Sequence, residues 1–183
     1  MNRPLPEEGL ALVGYRGTGK TSVGRGLAHR LGRRFVDSDR EVEARAGLSI
    51  REIFAEGGEL SFREWEALVL LDLTAQPGGA IVATGGGAVI REENRKALRR
   101  YGFVAWLAAD PETLARRLRA SRWGVDDRPS LTAAGTLGEI AEVLEARTPL
   151  YREVADAVVD TAGRTPEQVA DDVLEAWAGG EGG

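Results

Sequence analysis

The stretch best suited to chemistry is glycine-rich and lies near the start of the chain, at residues 14–21, GYRGTGKT. It fits the pattern G-x-x-x-x-G-K-[ST], in which backbone N–H groups curl around phosphate oxygens. In that pattern Lys20 reaches the β- and γ-phosphates of a nucleotide, and the Thr21 hydroxyl completes the shell of a Mg²⁺ ion. The chain has only two lysines, Lys20 and Lys96, so one of them stands where phosphate needs a compact ammonium group. The sequence therefore predicts a phosphate-binding loop, or P-loop.

Two further groups could act next to bound phosphate. Asp37 and Asp39 follow a short apolar segment, and Gly85-Gly86-Gly87 follows another. A carboxylate at the end of a strand can align a hydroxyl with the γ-phosphate, although an aspartate there can also cap the following helix. The triple glycine has no side chains to block a close approach. Both interpretations of the aspartates stay open at this point.

The elements that must position these residues alternate between short apolar strands and helices. The strands are predicted at residues 10–13, 34–37, 80–84, 103–107 and 157–160. Helices are predicted at residues 21–31, 40–46, 59–75, 91–100, 111–120, 136–154 and 166–177, and a further helix is predicted to start at Ser49. Gly32 is expected to end the first helix, and Ser49 with Glu52 forms a capping box for the third. This alternation predicts a three-layer α/β/α fold with a five-stranded parallel sheet, whose strands all end at one edge.

The chain is expected to form a single domain over residues 1–183, with its core at 10–178. The extra helices at about 38–70 are expected to build a substrate pocket. The irregular stretch at about 121–134 is too long for an ordinary connection. Residues 179–183 are expected to form a disordered tail.

Composition excludes several classes of partner. The net charge is −5, so the chain has no broad basic field for nucleic acid or an anionic membrane. The absence of cysteine excludes disulfides and thiolate metal sites. No apolar run approaches the roughly 18 residues of a membrane-spanning helix, and the first eight residues lack the apolar core of a signal peptide. We therefore expect a cytoplasmic protein.

Six motifs follow one another in a fixed order. They are the P-loop, Asp37-Ser38-Asp39, Phe62-Arg63 with Glu66, Gly85-Gly86-Gly87, Arg128-Pro129 and Arg147-x-x-Leu150-Tyr151. This combination resembles the shikimate kinases, which use MgATP to phosphorylate the 3-hydroxyl of shikimate in chorismate and aromatic amino-acid biosynthesis. The resemblance covers residues 10–177 and implies a monomer with the nucleoside-monophosphate-kinase-like P-loop fold, a helical substrate-binding insertion and a mobile lid at about 121–134.

The resemblance also implies residues that bind ATP. Those around the phosphates are Gly17, Thr18, Gly19, Lys20, Thr21 and Ser22. Arg128 matches the lid arginine that closes over the phosphates, and it joins Lys20 and Asp39 as a catalytic residue. Arg117 and Pro166 match the residues that sandwich adenine, although Arg116 and Arg119 leave the register of that arginine open.

On the acceptor side, Asp39 resembles the aspartate that holds the shikimate hydroxyls and helps to deprotonate the attacking one. Asp37 resembles the residue that reaches Mg²⁺ through water, with Thr21 as the direct ligand. Arg63 and Arg147 match the arginines that clamp the shikimate carboxylate, since a guanidinium fork suits a planar carboxylate. The resemblance implies that the remaining acceptor contacts come from Gly85, Gly86 and Gly87, with a backbone N–H from Gly86. Glu66 is expected to orient Arg63 from one helical turn away.

Other functions fit parts of this pattern. A gluconate kinase also handles a carboxylate with hydroxyls, whereas the paired arginines and the triple glycine argue against a nucleoside-monophosphate kinase. A non-catalytic nucleotide-binding module would be expected to lack Lys20 or Asp39, and both are present. The single histidine, His29, is expected at the surface, and Trp65 and Trp106 in the core.

Overall fold

The computed structural model describes residues 8–120 and 137–179. The stretch expected to form the lid, including Arg128, lies outside the described residues. The described part contains one sheet of five parallel strands in the order β2-β3-β1-β4-β5. These strands are β1 (Gly9–Val13), β2 (Phe35–Asp37), β3 (Ile81–Ala83), β4 (Gly102–Ala108) and β5 (Ala157–Asp160). The predicted five-stranded parallel sheet is confirmed.

Helices cover both faces of this sheet. They are α1 (Lys20–Leu31), α2 (Ser38–Ala46), α3 (Ile50–Ala75), α4 (Glu92–Tyr101), α5 (Pro111–Ala120), α6 (Leu137–Val154) and α7 (Pro166–Gly179). Alternate residues of β1 face opposite sides: Leu10 and Leu12 pack with α1 and α7, whereas Ala11 and Val13 pack with α2, α3, α4 and α6. The three-layer architecture is therefore confirmed, with a separate apolar core on each face of the sheet.

Two helix boundaries differ from those predicted. The helix expected at 40–46 begins at Ser38, because Asp37 caps it, so Asp39 lies in its first turn. The two helices expected on either side of residue 58 form one kinked helix, α3, in which Gly58 has φ 67° and ψ −167°. Only glycine adopts such a backbone readily, so the chain bends there without ending the helix.

Local signals at helix ends are confirmed. Gly32 caps α1 in a left-handed conformation, and Ser49 and Glu52 form both bonds of the capping box. Trp106 is buried and Trp65 packs against the core, whereas His29 is exposed. Gly179, expected in the tail, is the last residue of α7. Within the described residues, no helix is long and apolar enough to cross a membrane.

Candidate active site

The loop after β1 folds around the ammonium group of Lys20. Lys20 begins α1 and is 8% exposed, and its Nζ donates to the carbonyl oxygens of Gly14 at 2.7 Å and Tyr15 at 2.8 Å. Gly17 and Gly19 have φ of 83° and 94°, in the region that favours glycine. The motif therefore has the strand–loop–helix setting in which N–H groups and a helix N-terminus attract phosphate.

Thr18, Ser22 and Pro166 occupy different environments. The Thr18 hydroxyl is buried and donates to the carbonyl oxygen of Tyr15 at 2.8 Å, which fixes the loop. Ser22 is exposed in the first turn of α1, and Pro166 is exposed at the start of α7. The buried Thr18 side chain thus stabilises the loop, whereas the side chains of Ser22 and Pro166 face solvent.

Arg117 on α5 contacts the P-loop directly. Its Nη1 donates to the carbonyl oxygen of Gly17 at 3.2 Å and to the Thr161 hydroxyl at 2.9 Å. Arg116 and Arg119 are exposed. Of the three neighbouring arginines, Arg117 is therefore the one held between the P-loop and the loop after β5.

Asp37 links the P-loop to α2. Its Oδ2 accepts a hydrogen bond from the Thr21 hydroxyl at 2.9 Å, and its Oδ1 accepts one from the Asp39 N–H at 3.2 Å. Asp37 is thus the N-cap of α2 and a neighbour of the P-loop threonine at the same time. The two interpretations of this residue are compatible, because each uses a different carboxylate oxygen.

The triple glycine after β3 brings the acceptor-side residues together. A Cβ added at Gly85 would lie 2.6 Å from Oε1 of Glu66 and 2.7 Å from Oδ1 of Asp39, so both carboxylates approach this backbone closely. The N–H of Gly85 donates to the buried Ser38 hydroxyl at 3.0 Å. A side chain at residue 85 would therefore displace Asp39 or Glu66.

Arg63 lies against the last of these glycines. It is 8% exposed on α3, and its guanidinium donates to Glu66 at 2.7 Å and to Glu59 at 3.1 Å. Burial acts to lower the pKa of Arg63, but the carboxylate of Glu66, with a smaller effect of Glu59, raises this pKa above its usual value. Glu66 pairs with Arg63 as the sequence predicts, and its charge compensates for the burial of this guanidinium.

The middle glycine is bound by α6. Its carbonyl oxygen accepts from Nη1 of Arg147 at 3.1 Å and from the Tyr151 hydroxyl at 2.6 Å. A Cβ added at Gly86 would lie 3.2 Å from the backbone nitrogen of Arg16 in the P-loop. Asp39, Arg63 and Arg147, from three different helices, thus meet around three successive glycines that border the P-loop.

A methyl group at residue 87 should weaken binding of the acceptor. A Cβ added at Gly87 would overlap both terminal nitrogens of Arg63, so Gly87→Ala must displace that guanidinium. Misplacement by about 1 Å can reduce activity about a hundredfold, and we expect a loss of this order in kcat/KM for the acceptor. Gly26→Ala on α1 is the matched control, because nothing lies within 4 Å of its added Cβ. Equal kinetics for the two variants would contradict the close packing of Arg63.

Some residues of this cluster have no role assigned from the sequence. In the sequence, Ser38 and Tyr151 stand out only as parts of two motifs, and nothing indicates a role for Glu59. Tyr151 lies four residues after Arg147, and Glu59 four before Arg63. Because residues four apart share one face of a helix, this spacing was the available signal. The contact of Ser38 with Gly85 joins residues 47 apart, and no local pattern indicates it.

Known proteins resemble this chain in sequence and in fold. The family model for shikimate kinase matches residues 16–178. A shikimate kinase of Symbiobacterium thermophilum is 48% identical over 166 residues, which cover 91% of this chain and 94% of that protein. The structure of an Acinetobacter baumannii shikimate kinase in complex with shikimate has a TM-score of 0.85 and 38% identity, and the match covers 92% of this chain and 91% of that one.

A gluconokinase of Sinorhizobium meliloti is less similar. Its TM-score is 0.59 at 20% identity, and the match covers 94% of this chain and 92% of that one. That level of identity shows a shared fold alone. The family match and the high identity and coverage of the curated relative show that this chain belongs to the shikimate kinase family.

Proposed function

We propose that this chain transfers the γ-phosphoryl group of ATP to the 3-hydroxyl of shikimate, giving shikimate 3-phosphate and ADP. The observation that carries the proposal is the meeting of Asp39, Arg63 and Arg147 around Gly85–Gly87, next to the P-loop. One acid and two guanidinium groups at a phosphate-binding loop are the groups needed to hold a hydroxylated carboxylate for phosphorylation.

Arg63 and Arg147 bind the shikimate carboxylate in this proposal. A guanidinium presents parallel N–H donors that fix both the position and the orientation of a carboxylate. Arg63 is buried beside Glu66, and removing one partner of such a pair costs about 3–5 kcal/mol. The ion pair with Glu66 therefore fixes the orientation of the Arg63 guanidinium.

Asp39 acts on the hydroxyl that attacks. Its carboxylate lies against Gly85, which follows β3. Because β3 runs parallel to β1, this end of β3 lies at the same edge of the sheet as the P-loop. From this position Asp39 accepts a hydrogen bond from the 3-hydroxyl and takes its proton as the P–O bond forms. Positioning contributes as much as proton transfer, because phosphoryl transfer requires an attacking oxygen in line with the leaving oxygen.

The donor side consists of the P-loop and Arg117. The N–H groups of Gly17 to Ser22 face the phosphates, and Lys20 exchanges its bonds to loop carbonyls for bonds to the β- and γ-phosphates. The contact of Arg117 with the Gly17 carbonyl supports a place for its guanidinium beside adenine, with Pro166 on the other side. Arg128, outside the described residues, is proposed to close over the phosphates and to exclude water.

A Mg²⁺ ion is proposed to bind next to Thr21 and Asp37. Their side chains supply a hydroxyl and a carboxylate in mutual contact, and oxygen donors of this kind suit Mg²⁺. No cluster of three or more metal-binding side chains occurs in residues 8–120 and 137–179, which fits an ion held mainly by phosphates and water. When bound, Mg²⁺ neutralises charge on the β- and γ-phosphates. Thr21 would be its direct ligand and Asp37 would act through water.

We also propose that the enzyme acts as a monomer in the cytoplasm. The resemblance to the shikimate kinases is what supports this proposal. Size-exclusion chromatography with light scattering tests the oligomeric state.

The reaction is tested by an assay that couples ADP formation to NADH oxidation, with ATP and Mg²⁺. Shikimate, gluconate and a set of nucleoside monophosphates are compared as acceptors. We expect kcat/KM for shikimate to exceed that for the others by at least about a thousandfold, because the arginines and Asp39 must all be matched at once. Equal or better turnover of gluconate would contradict the proposal and would identify the protein as a gluconate kinase instead.

A further inference from the structure

Tyr151 is buried beside the acceptor site, yet the reaction as described so far gives it no role. It lies on α6 with none of its surface exposed. Its hydroxyl donates to the Gly86 carbonyl oxygen at 2.6 Å. That oxygen also accepts from Arg147 at 3.1 Å. One backbone carbonyl therefore joins the tyrosine to an arginine of the proposed carboxylate clamp.

The tyrosine is held rigidly by its surroundings. Its ring stacks on Trp106 of β4, with centroids 5.5 Å apart and an angle of 21° between the ring planes. Burial raises the pKa of Tyr151 to about 12, although the nearby Arg147 acts in the opposite direction. The hydroxyl thus remains a proton donor throughout the neutral range, at a place fixed by the sheet.

Among residues 8–120 and 137–179, no carboxylate pairs with Arg147 as Glu66 pairs with Arg63. Arg63 is held by Glu66 and Glu59, whereas the Arg147 side chain donates to the Gly86 carbonyl and interacts with the Tyr151 hydroxyl. A guanidinium that gives one edge to this carbonyl keeps its other donors for a carboxylate. The direction of the Arg147 fork therefore depends on where the Gly86 carbonyl points.

We propose that Tyr151 is a positioning residue for shikimate, which acts by fixing the Gly86 carbonyl that in turn orients Arg147. This inference rests on the proposed function. A carbonyl that accepts from a rigid donor keeps one orientation, and the arginine bound to the same oxygen is then arranged before the substrate arrives. Preorganisation of this kind lowers the entropy lost on binding.

Tyr151→Phe tests the proposal, since it removes the hydroxyl and keeps the ring on Trp106. We expect KM for shikimate to rise about fivefold, the equivalent of one typical hydrogen bond, while kcat and KM for ATP change less than about twofold. Tyr101→Phe is the matched control. Tyr101, the last residue of α4, is also buried, and its hydroxyl also donates to a backbone carbonyl, that of Ala80 at 2.7 Å. Ala80 precedes β3, whereas the triple glycine of the site follows this strand. Tyr101→Phe should lower the melting temperature similarly and leave KM for shikimate unchanged.

A double-mutant cycle separates positioning from a general loss of stability. If Tyr151 acts through Arg147, the effect of Tyr151→Phe on KM for shikimate should shrink to less than about twofold in an Arg147→Ala background. Additive effects would overturn the proposal. So would an equal rise of KM in Tyr101→Phe, or a loss spread evenly over the ATP and shikimate parameters. An unaltered protein that fails to phosphorylate shikimate would overturn the proposed function itself, whereas an active protein with a silent Tyr151→Phe overturns this inference alone.

Discussion

Lys20→Met is expected to lower kcat for shikimate phosphorylation by about a thousandfold, the upper range for loss of one donor at a developing charge. Methionine has a similar length without the charge, and Lys20 is buried in the P-loop with its ammonium bound to loop carbonyls. The change therefore deletes a positive charge where the phosphoryl group is transferred, with little change in shape. Steady-state kinetics in the coupled assay measure the effect.

The chain provides its own control for this variant. Lys96 is the other lysine; it is exposed on α4 and pairs with Glu92 at 2.6 Å. An exposed pair of this kind contributes little, so Lys96→Met should keep the kinetics of the unaltered protein. An unchanged turnover of Lys20→Met would refute the role of Lys20 in phosphoryl transfer.

Asp39→Asn should have the second large effect, a fall of about 10²–10⁴ in kcat, as expected when a general base is removed. The amide has nearly the same shape but does not take up the proton of the attacking hydroxyl. Because Asp39 lies against Gly85 rather than in the P-loop, the affinity for ATP should stay within about twofold. Isothermal titration with a non-hydrolysable ATP analogue measures that affinity beside the kinetic assay.

Asp72→Asn makes the same chemical change on an exposed part of α3, where Asp72 pairs with Arg45 at 2.6 Å. It should leave both kcat and nucleotide affinity unaltered. If Asp39→Asn lost ATP binding together with turnover, Asp39 would have a structural role instead. The expected separation of the two quantities thus distinguishes catalysis from folding.

Features set by neighbouring residues could be predicted from the sequence. The P-loop lies between β1 and α1 because an apolar run, a set of glycines and a helical pattern follow one another within about twenty residues. Gly32 and the Ser49–Glu52 box end and begin helices through contacts within a few residues. The pairing of Arg63 with Glu66 follows from helical spacing.

Features set by packing between distant segments could not be predicted in this way. Nothing local shows that Gly58 bends α3 instead of ending it. The choice of Arg117 among three neighbouring arginines depends on which face of α5 meets the P-loop. Leu60, Leu68 and Leu71 are apolar residues of α3 that remain exposed, so the buried face of this helix is set by the elements that it packs against, mainly α2 and α4.

The triple glycine has a consequence for attempts to change which acceptor the enzyme uses. At Gly85 an added Cβ would meet Asp39 and Glu66, and at Gly86 it would lie 3.2 Å from the P-loop nitrogen of Arg16. These glycines have no side chain to shorten, and a larger residue at Gly85 would displace its neighbours. Redesign for a bulkier or differently charged acceptor should therefore begin on helices α3 and α6, which carry Arg63 and Arg147.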